Sequence, residues 1–359
     1  MPQGGLTLSD TTLYGTTRDG GFNSAGTVFK LSLDGTSFQT LHDFTSFSGG
    51  YQPYGSIVVS GSKLFGITAF GGTNNSGSLY SMNLDGSGFQ VVQSFGGSTN
   101  GDLPLGGLVA AGSTIYGTTP SGGINGRGTI FSISTSGSSF QILHAFSGLA
   151  DGSDCRTALT VSGSKLYGVT NQGGANNLSA IFSLNLDGSG FQRAYSFSGS
   201  GNVLPNDLIV SGSSIFGTTY GGGPTGDGYV FSLDTTGANF QALHAFSGTD
   251  GSRPYGGLAL GGSVLYGTTN STSTIFSVNT DGSGFNTIAR MNGFPSPRGP
   301  VGDPLITGGV LYGVTDSDGT SGNGTVFKLT GVVPEPSSAL LLCVGIALLT
   351  NRRKRRTLP

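Results

Sequence analysis

LYGTTRDGGFNSAGTVFKLSLDGTSFQTLHDF, from Leu13 to Phe44, is restated with small changes down the chain as far as Leu329. Its anchor is an aromatic followed by glycine, at Tyr14, Phe65, Tyr116, Tyr167, Phe216, Tyr266 and Tyr312, with gaps of 51, 51, 51, 49, 50 and 46 residues. An apolar-aromatic pair follows each anchor, from Val28-Phe29 and Leu79-Tyr80 through Ile130-Phe131, Ile181-Phe182 and Val230-Phe231 to Ile275-Phe276 and Val326-Phe327. Self-similarity near fifty residues marks propellers and related arrays, and it outranks any local motif. Seven complete units over residues 1–330 predict one all-β domain, a seven-bladed β-propeller.

Within a unit, four short runs read as strands. The first follows a proline, as Ile57 to Val59 follows Pro53; the second is the Leu-Tyr-Gly-Thr-Thr run. The third is Val-Phe-Lys-Leu, and the fourth is Phe-Gln-x-Leu-His-x-Phe, as at Phe38 to Phe44 and Phe140 to Phe146. Four strands with their loops need roughly forty to fifty residues, which is the period. Asp34-Gly35, Asp85-Gly86, Asp187-Gly188 and Asp281-Gly282 supply the positive-φ turn between third and fourth strands. A sheet between two neighbours is apolar at both parities. In Phe140 to Phe146, simple alternation points Phe140, Ile142 and Phe146 one way and Leu143 and Ala145 the other. Unit four is expected to carry Arg156 in place of the proline, and unit seven to start its first strand after Pro304.

Composition agrees. Gly is 67 of 359 residues, charged residues are 9% and Trp is absent, so turns are frequent and stability must come from packing. Residues 1–330 carry eleven Lys and Arg against seventeen Asp, a formal charge of -6, which excludes a phosphate-binding basic face and with it nucleic acid as a partner. Cys155 is the body's single cysteine, so the body holds no internal disulfide.

Few residues invite chemistry. His42, His144 and His244 share one repeat position in the fourth strand, where other units have Gln93, Tyr195 and Arg290. That strand lies roughly 15 to 20 Å from a central axis, so the three cannot share an ion and are expected to pack on the next blade. Asp316-Ser317-Asp318-Gly319 lacks the spaced ligands of a calcium loop. The Gly-Gly loops precede no helix and no Lys-Ser. Glu335 is the only glutamate, so paired-carboxylate catalysis would need Asp residues gathered from several blades. The reading is therefore no catalytic residue, no cofactor and no metal, with a cluster of Asp, Tyr and Arg at one mouth of the ring as the feature that would favour an enzyme.

After Leu329 the register stops. VVPEPSSALLLCVGIALLTNRRKRRTLP divides into a Pro/Ser linker (331–338), an apolar stretch (339–350) and a basic end (351–359). The apolar stretch is expected to form a transmembrane helix, with the basic end on the cytoplasmic side.

Two resemblances follow from these residues. The repeat resembles the bacterial GloVer repeat of surface proteins. The tail resembles a PEP-CTERM sorting signal, with Val333, Pro334, Glu335 and Pro336 as the sorting motif and Arg352, Arg353, Lys354, Arg355 and Arg356 as the basic stop. The second resemblance implies an exosortase-like protease as partner and a Gram-negative host. It further implies an inner-membrane precursor released to the cell surface or extracellular matrix. Together they lead to an exported, monomeric, non-catalytic binding or structural propeller; the alternative is a hydrolase or lyase acting on extracellular polysaccharide. Unit seven lacks a Phe-Gln-x-Leu-His-x-Phe strand and residues 1–10 lack an export signal, so the last blade is expected to be three-stranded and a further N-terminal segment is expected to supply both.

Overall fold

The computed structural model describes residues 1–332 apart from 46–47, 149, 175–176, 199–202, 292–298 and 318–322. The sorting motif, apolar stretch and basic end thus lie outside the described residues, as do Asp318 and Gly319. Seven antiparallel sheets form, each taking its strands in chain order. Blade one shows the plan: inner strand Thr7–Ser9, second strand Thr12–Thr17, third strand Thr27–Ser32 and outer strand Gln39–Asp43. Among the described residues six blades have four strands and the seventh has three, Pro300–Thr307, Val310–Thr315 and Thr325–Leu329. Leu6, Leu13 and Leu31 of blade one pack with Val301, Tyr312 and Val314 of blade seven, which closes the ring. The fold is the seven-bladed propeller that the period predicts.

The two sequence landmarks turn out to be one contact. Gly15 stands opposite Phe29 on the neighbouring strand, and a Cβ on that glycine would lie 2.6 Å from the ring. The same pairing recurs as Gly117 with Phe131, Gly168 with Phe182, Gly217 with Phe231, Gly267 with Phe276 and Gly313 with Phe327, while Gly66 faces Tyr80. A third-strand ring lies over a glycine that has no side chain to obstruct it. The anchor aromatics face the other way, each into the cluster between its own blade and the next: Tyr14 beside Ile57, Tyr116 beside Leu166, Tyr312 beside Leu13.

Three expectations need correction. Outer strands carry a bulge: Phe131 pairs with Ile142 and Ile130 with His144, so Leu143 is an extra residue and parity flips there. Phe140 and Ile142 accordingly pack toward blade two, whereas Leu143 and Phe146 pack toward blade four, so Phe146 does not share a face with Phe140. In unit four, Thr118 Oγ1 donates to the Thr157 carbonyl just as Thr16 Oγ1 does to Gly55, so Cys155 takes the proline's place and Arg156 that of Tyr54. Pro300 faces Thr315 as Pro53 faces Thr68, so Pro300 and not Pro304 opens the first strand of blade seven.

The Asp-Gly turns behave as the sequence predicts. Gly35 has φ 88°, and Asp34 Oδ1 accepts from the Thr36 amide at 2.9 Å.

Candidate functional site

In every blade the chain enters at the ring axis, and the two residues that decide the channel lining are the one after the proline position and the one nine residues before the anchor aromatic. The latter position is small in five blades: Gly5, Ser56, Gly107, Ala158 and Gly257. In blades five and seven it is Asp207 and Asp303. Asp207 Oδ1 accepts from the Ala158 amide at 2.7 Å and Asp303 Oδ1 from the Gly257 amide at 2.6 Å, so each carboxyl grips the preceding blade. Ser56 does the same through its hydroxyl, which accepts from the Gly5 amide at 3.0 Å.

Gly257 lies between the two aspartates, and a Cβ there would lie 2.8 Å from Asp303 Oδ1 and 3.1 Å from the Asp207 Cβ. Its bareness lets the two carboxyls meet. The two carboxyls interact with each other across this glycine. Desolvation raises both above the usual carboxylate range, and the neighbouring Asp303 charge raises Asp207 further. Each keeps some exposed surface, but that surface faces the channel rather than bulk solvent. Carrying two like charges side by side in such a place is costly, which is why both shifts are upward.

Above this pair the channel opens into a cavity of about 300 Å³ lined by Tyr54, Arg156, Asn206, Tyr220 and Tyr255 among others. The first position after the proline supplies Tyr54, Arg156, Asn206 and Tyr255 from four different blades. Burial pushes the Tyr54 phenol up to about 12, and its hydrogen bond with Tyr255 adds to that, against the opposing pull of Arg18 and Arg156. Tyr255 is 44% exposed and meets Tyr220 edge to face at 6.3 Å, with the Arg253 guanidinium 5.6 Å from the Tyr220 ring centre. Arg156 Nε donates to Asp154 Oδ1 at 2.7 Å, which fixes the guanidinium at the rim.

This rim joins the entries to the inner strands with the loops between second and third strands, which the antiparallel register brings to one face of the ring. Tyr51, stacked on Phe70 at 5.4 Å, also belongs to it. Lys63 and Lys165 begin second strands at the opposite face. The cluster of Asp, Tyr and Arg at one mouth is therefore present. Sequence reading did not find its members, because they lie in five blades; the signal available was the departure of Asp207 and Asp303 from an otherwise small repeat position.

The histidines lie elsewhere, as expected from their strand. His42 stacks on Phe89 at 3.8 Å, His144 on Phe191 at 3.9 Å and His244 on Phe285 at 3.4 Å, each on the next blade. The sequence reading missed that His144 and His244 also bond Asp151 and Asp250, both at 2.9 Å through Nε2. Burial holds all three imidazoles below their usual value. Among the described residues no three His, Cys, Asp or Glu converge as metal ligands. Cys155 is buried, and desolvation pushes its thiol up to about 12. Among the described residues no helix is long and apolar enough to cross a membrane.

No curated protein matches the chain. Among solved structures, the computationally designed Ika8 protein is similar at 14% identity and TM-score 0.57, over 93% of this chain and 86% of that one. Oligogalacturonate lyase from Vibrio parahaemolyticus is similar at 11% identity and TM-score 0.58, over 91% and 88%. A puromycin-hydrolyzing peptidase of Mycobacterium tuberculosis reaches TM-score 0.62 at 12% identity, over 92% of this chain but 52% of that one. These likenesses concern the fold alone. Residues 1–214 and 205–336 match the Gloeobacter/Verrucomicrobia repeat, so the chain belongs to that repeat family.

Proposed function

We propose that the protein is an exported, non-catalytic propeller that binds extracellular polysaccharide at the tyrosine-arginine mouth of its channel. The observation that carries this is the lining of that mouth: Tyr54, Tyr220 and Tyr255 beside Arg156 and Asn206, over a floor formed by Asp207 and Asp303. Phenols, guanidinium and amide offer donors and acceptors to sugar hydroxyls, and the exposed Tyr255 face can lie against a pyranose ring. The carboxyl pair argues against hydrolysis. Glycosidases hold their two carboxyls roughly 5 to 9.5 Å apart with the scissile bond between them, whereas here each carboxyl is engaged by a backbone amide of the preceding blade and the two flank the bare Gly257.

Export, an inner-membrane precursor and release at the surface or matrix by an exosortase-like protease rest on the tail from Val333 to Arg356. The alternative, a lyase or hydrolase on the same polymer, is favoured by the cluster itself, Asp207 and Asp303 with Tyr54, Tyr255 and Arg156 at one mouth of the ring.

A glycan array beside a turnover assay separates the two readings. We expect binding without product, lost in Tyr255→Ala; product formation with wild type that fails in Tyr54→Phe would establish the enzyme. Mass spectrometry of the mature protein from its host should find no peptide beyond the Pro334 to Pro336 region. Recovery of Leu358-Pro359 from released material would contradict the sorting proposal.

A further inference from the structure

The mouth of the channel has two unlike poles. Its floor is made of carboxyls, Asp207 and Asp303, and its rim carries arginines. Two of these are neutralised where they stand: Arg156 bonds Asp154 at 2.7 Å, and Arg18 lies 3.9 Å from Asp19. Arg253 is different. Among the described residues no carboxylate stands within ion-pair distance of it, and its guanidinium rests over the Tyr220 ring at 5.6 Å. Asp227 takes the Arg253 amide on its backbone carbonyl at 2.8 Å, but its carboxylate accepts from the Ser252 hydroxyl at 2.6 Å.

The backbone fixes where this charge stands. Arg253 precedes Pro254 and has φ 56°, a left-handed conformation that residues other than glycine rarely adopt. Gln52, Leu103 and Asp154 share it at the same repeat position, with φ 53°, 55° and 59°, and donate their amides to the Ala25, Ser76 and Arg127 carbonyls of the preceding blades. The conformation therefore belongs to the repeat, and the side chain to the blade. At Arg253 the main chain is held a second time, because the Asn270 amide donates to its carbonyl at 3.1 Å. A guanidinium stacked on a ring and rooted in a bonded main chain loses little freedom on taking a ligand.

Tyr255, two residues on, is 44% exposed and packs edge to face on the same Tyr220. An open phenol face and a guanidinium without a carboxylate thus share one support.

Given polysaccharide binding at this mouth, on which this step rests, we propose that the site selects acidic sugar units and that Arg253 reads their carboxylate. A uronate ring lies on Tyr255 with its carboxylate toward Arg253, whose planar fork holds both oxygens. Its hydroxyls turn inward to Tyr54 and Asn206. The reverse orientation would bring a third carboxyl against Asp207 and Asp303, where burial already disfavours charge. The two poles therefore set which way round the sugar enters. A neutral sugar keeps the ring contact and lacks the charge contact.

The test titrates the full chain in detergent with alginate, hyaluronan and polygalacturonate, each beside its carboxyl ester, which removes the charge and keeps the sugar backbone. An acid form should bind roughly three- to tenfold tighter than its ester, and about 0.5 M salt should shrink that preference. Arg253→Gln should level the two forms at the wild-type affinity for the ester. Its thermal midpoint should stay unchanged, since blade two carries Gln52 in the same conformation. Tyr255→Ala should weaken acid and ester alike. Equal binding of acid and ester by the wild type, a preference that survives Arg253→Gln, or binding of neutral glycans alone would overturn the selection by Arg253 and leave polysaccharide binding standing. Absence of binding to every glycan, acidic or neutral, would overturn both.

Discussion

Tyr80 is the third-strand aromatic of blade two, and its six counterparts are Phe29, Phe131, Phe182, Phe231, Phe276 and Phe327. Its hydroxyl is buried without a hydrogen-bond partner, and burial raises its pKa strongly. An orphaned buried hydroxyl costs about 1 to 3 kcal/mol. Tyr80→Phe should therefore stabilise the protein by about 1 kcal/mol, read as a higher thermal midpoint. The axial carboxyls behave in the opposite sense to surface aspartates such as Asp34, which the Ser32 hydroxyl and the Thr36 amide and hydroxyl hold down at about 2. Because Asp207 and Asp303 are raised above 3.8, the folded state binds their proton more tightly than the unfolded chain does. Their stabilising contribution is complete below that value and is lost as pH rises through the raised titration. Asp303→Asn keeps an acceptor for Gly257 and gives Asp207 a permanent donor, so stability above pH 4 should rise and its decline with pH should flatten. Thermal melts across pH would show it; an unchanged slope would remove the pair from the account.

At the scale of the strand, the sequence was readable wherever one residue's choice forces another's. A bare glycine under a ring explains why aromatic-Gly and apolar-aromatic landmarks recur together, and that linkage is what made seven units countable. The bulge was not readable. Alternation assigns Phe146 to the face of Phe140, and nothing local announces that Leu143 is inserted; its reason emerges only from packing, since the insertion turns His144 and Phe146 toward blade four. The mouth was unreadable for a different reason. Tyr54, Arg156, Asn206 and Tyr255 occupy a repeat position where Gln3 and Leu105 also stand, so no motif marks it, and convergence is a property of ring closure.

For the whole ring, stability is set by seven interfaces, and among the described residues one of them lacks the outer strand that the others have. In blades one to six the third strand is hydrogen-bonded on both sides; in blade seven, among the described residues, it is bonded on one. Amide exchange should accordingly be fastest, among the third strands, at Thr325–Leu329. Exchange measured by mass spectrometry on overlapping peptides would test this, and equal protection of Thr129–Ser134 and Thr325–Leu329 would contradict it.

Neighbouring blades elsewhere share a continuous chain, but blades seven and one meet through apolar packing, the Tyr312 hydroxyl on the Leu33 carbonyl at 3.3 Å and Lys328 Nζ on the Asp34 carbonyl at 3.3 Å. A ring built this way has a clasp. It is the one junction of two neighbouring blades that, among the described residues, opens without drawing on a connecting loop.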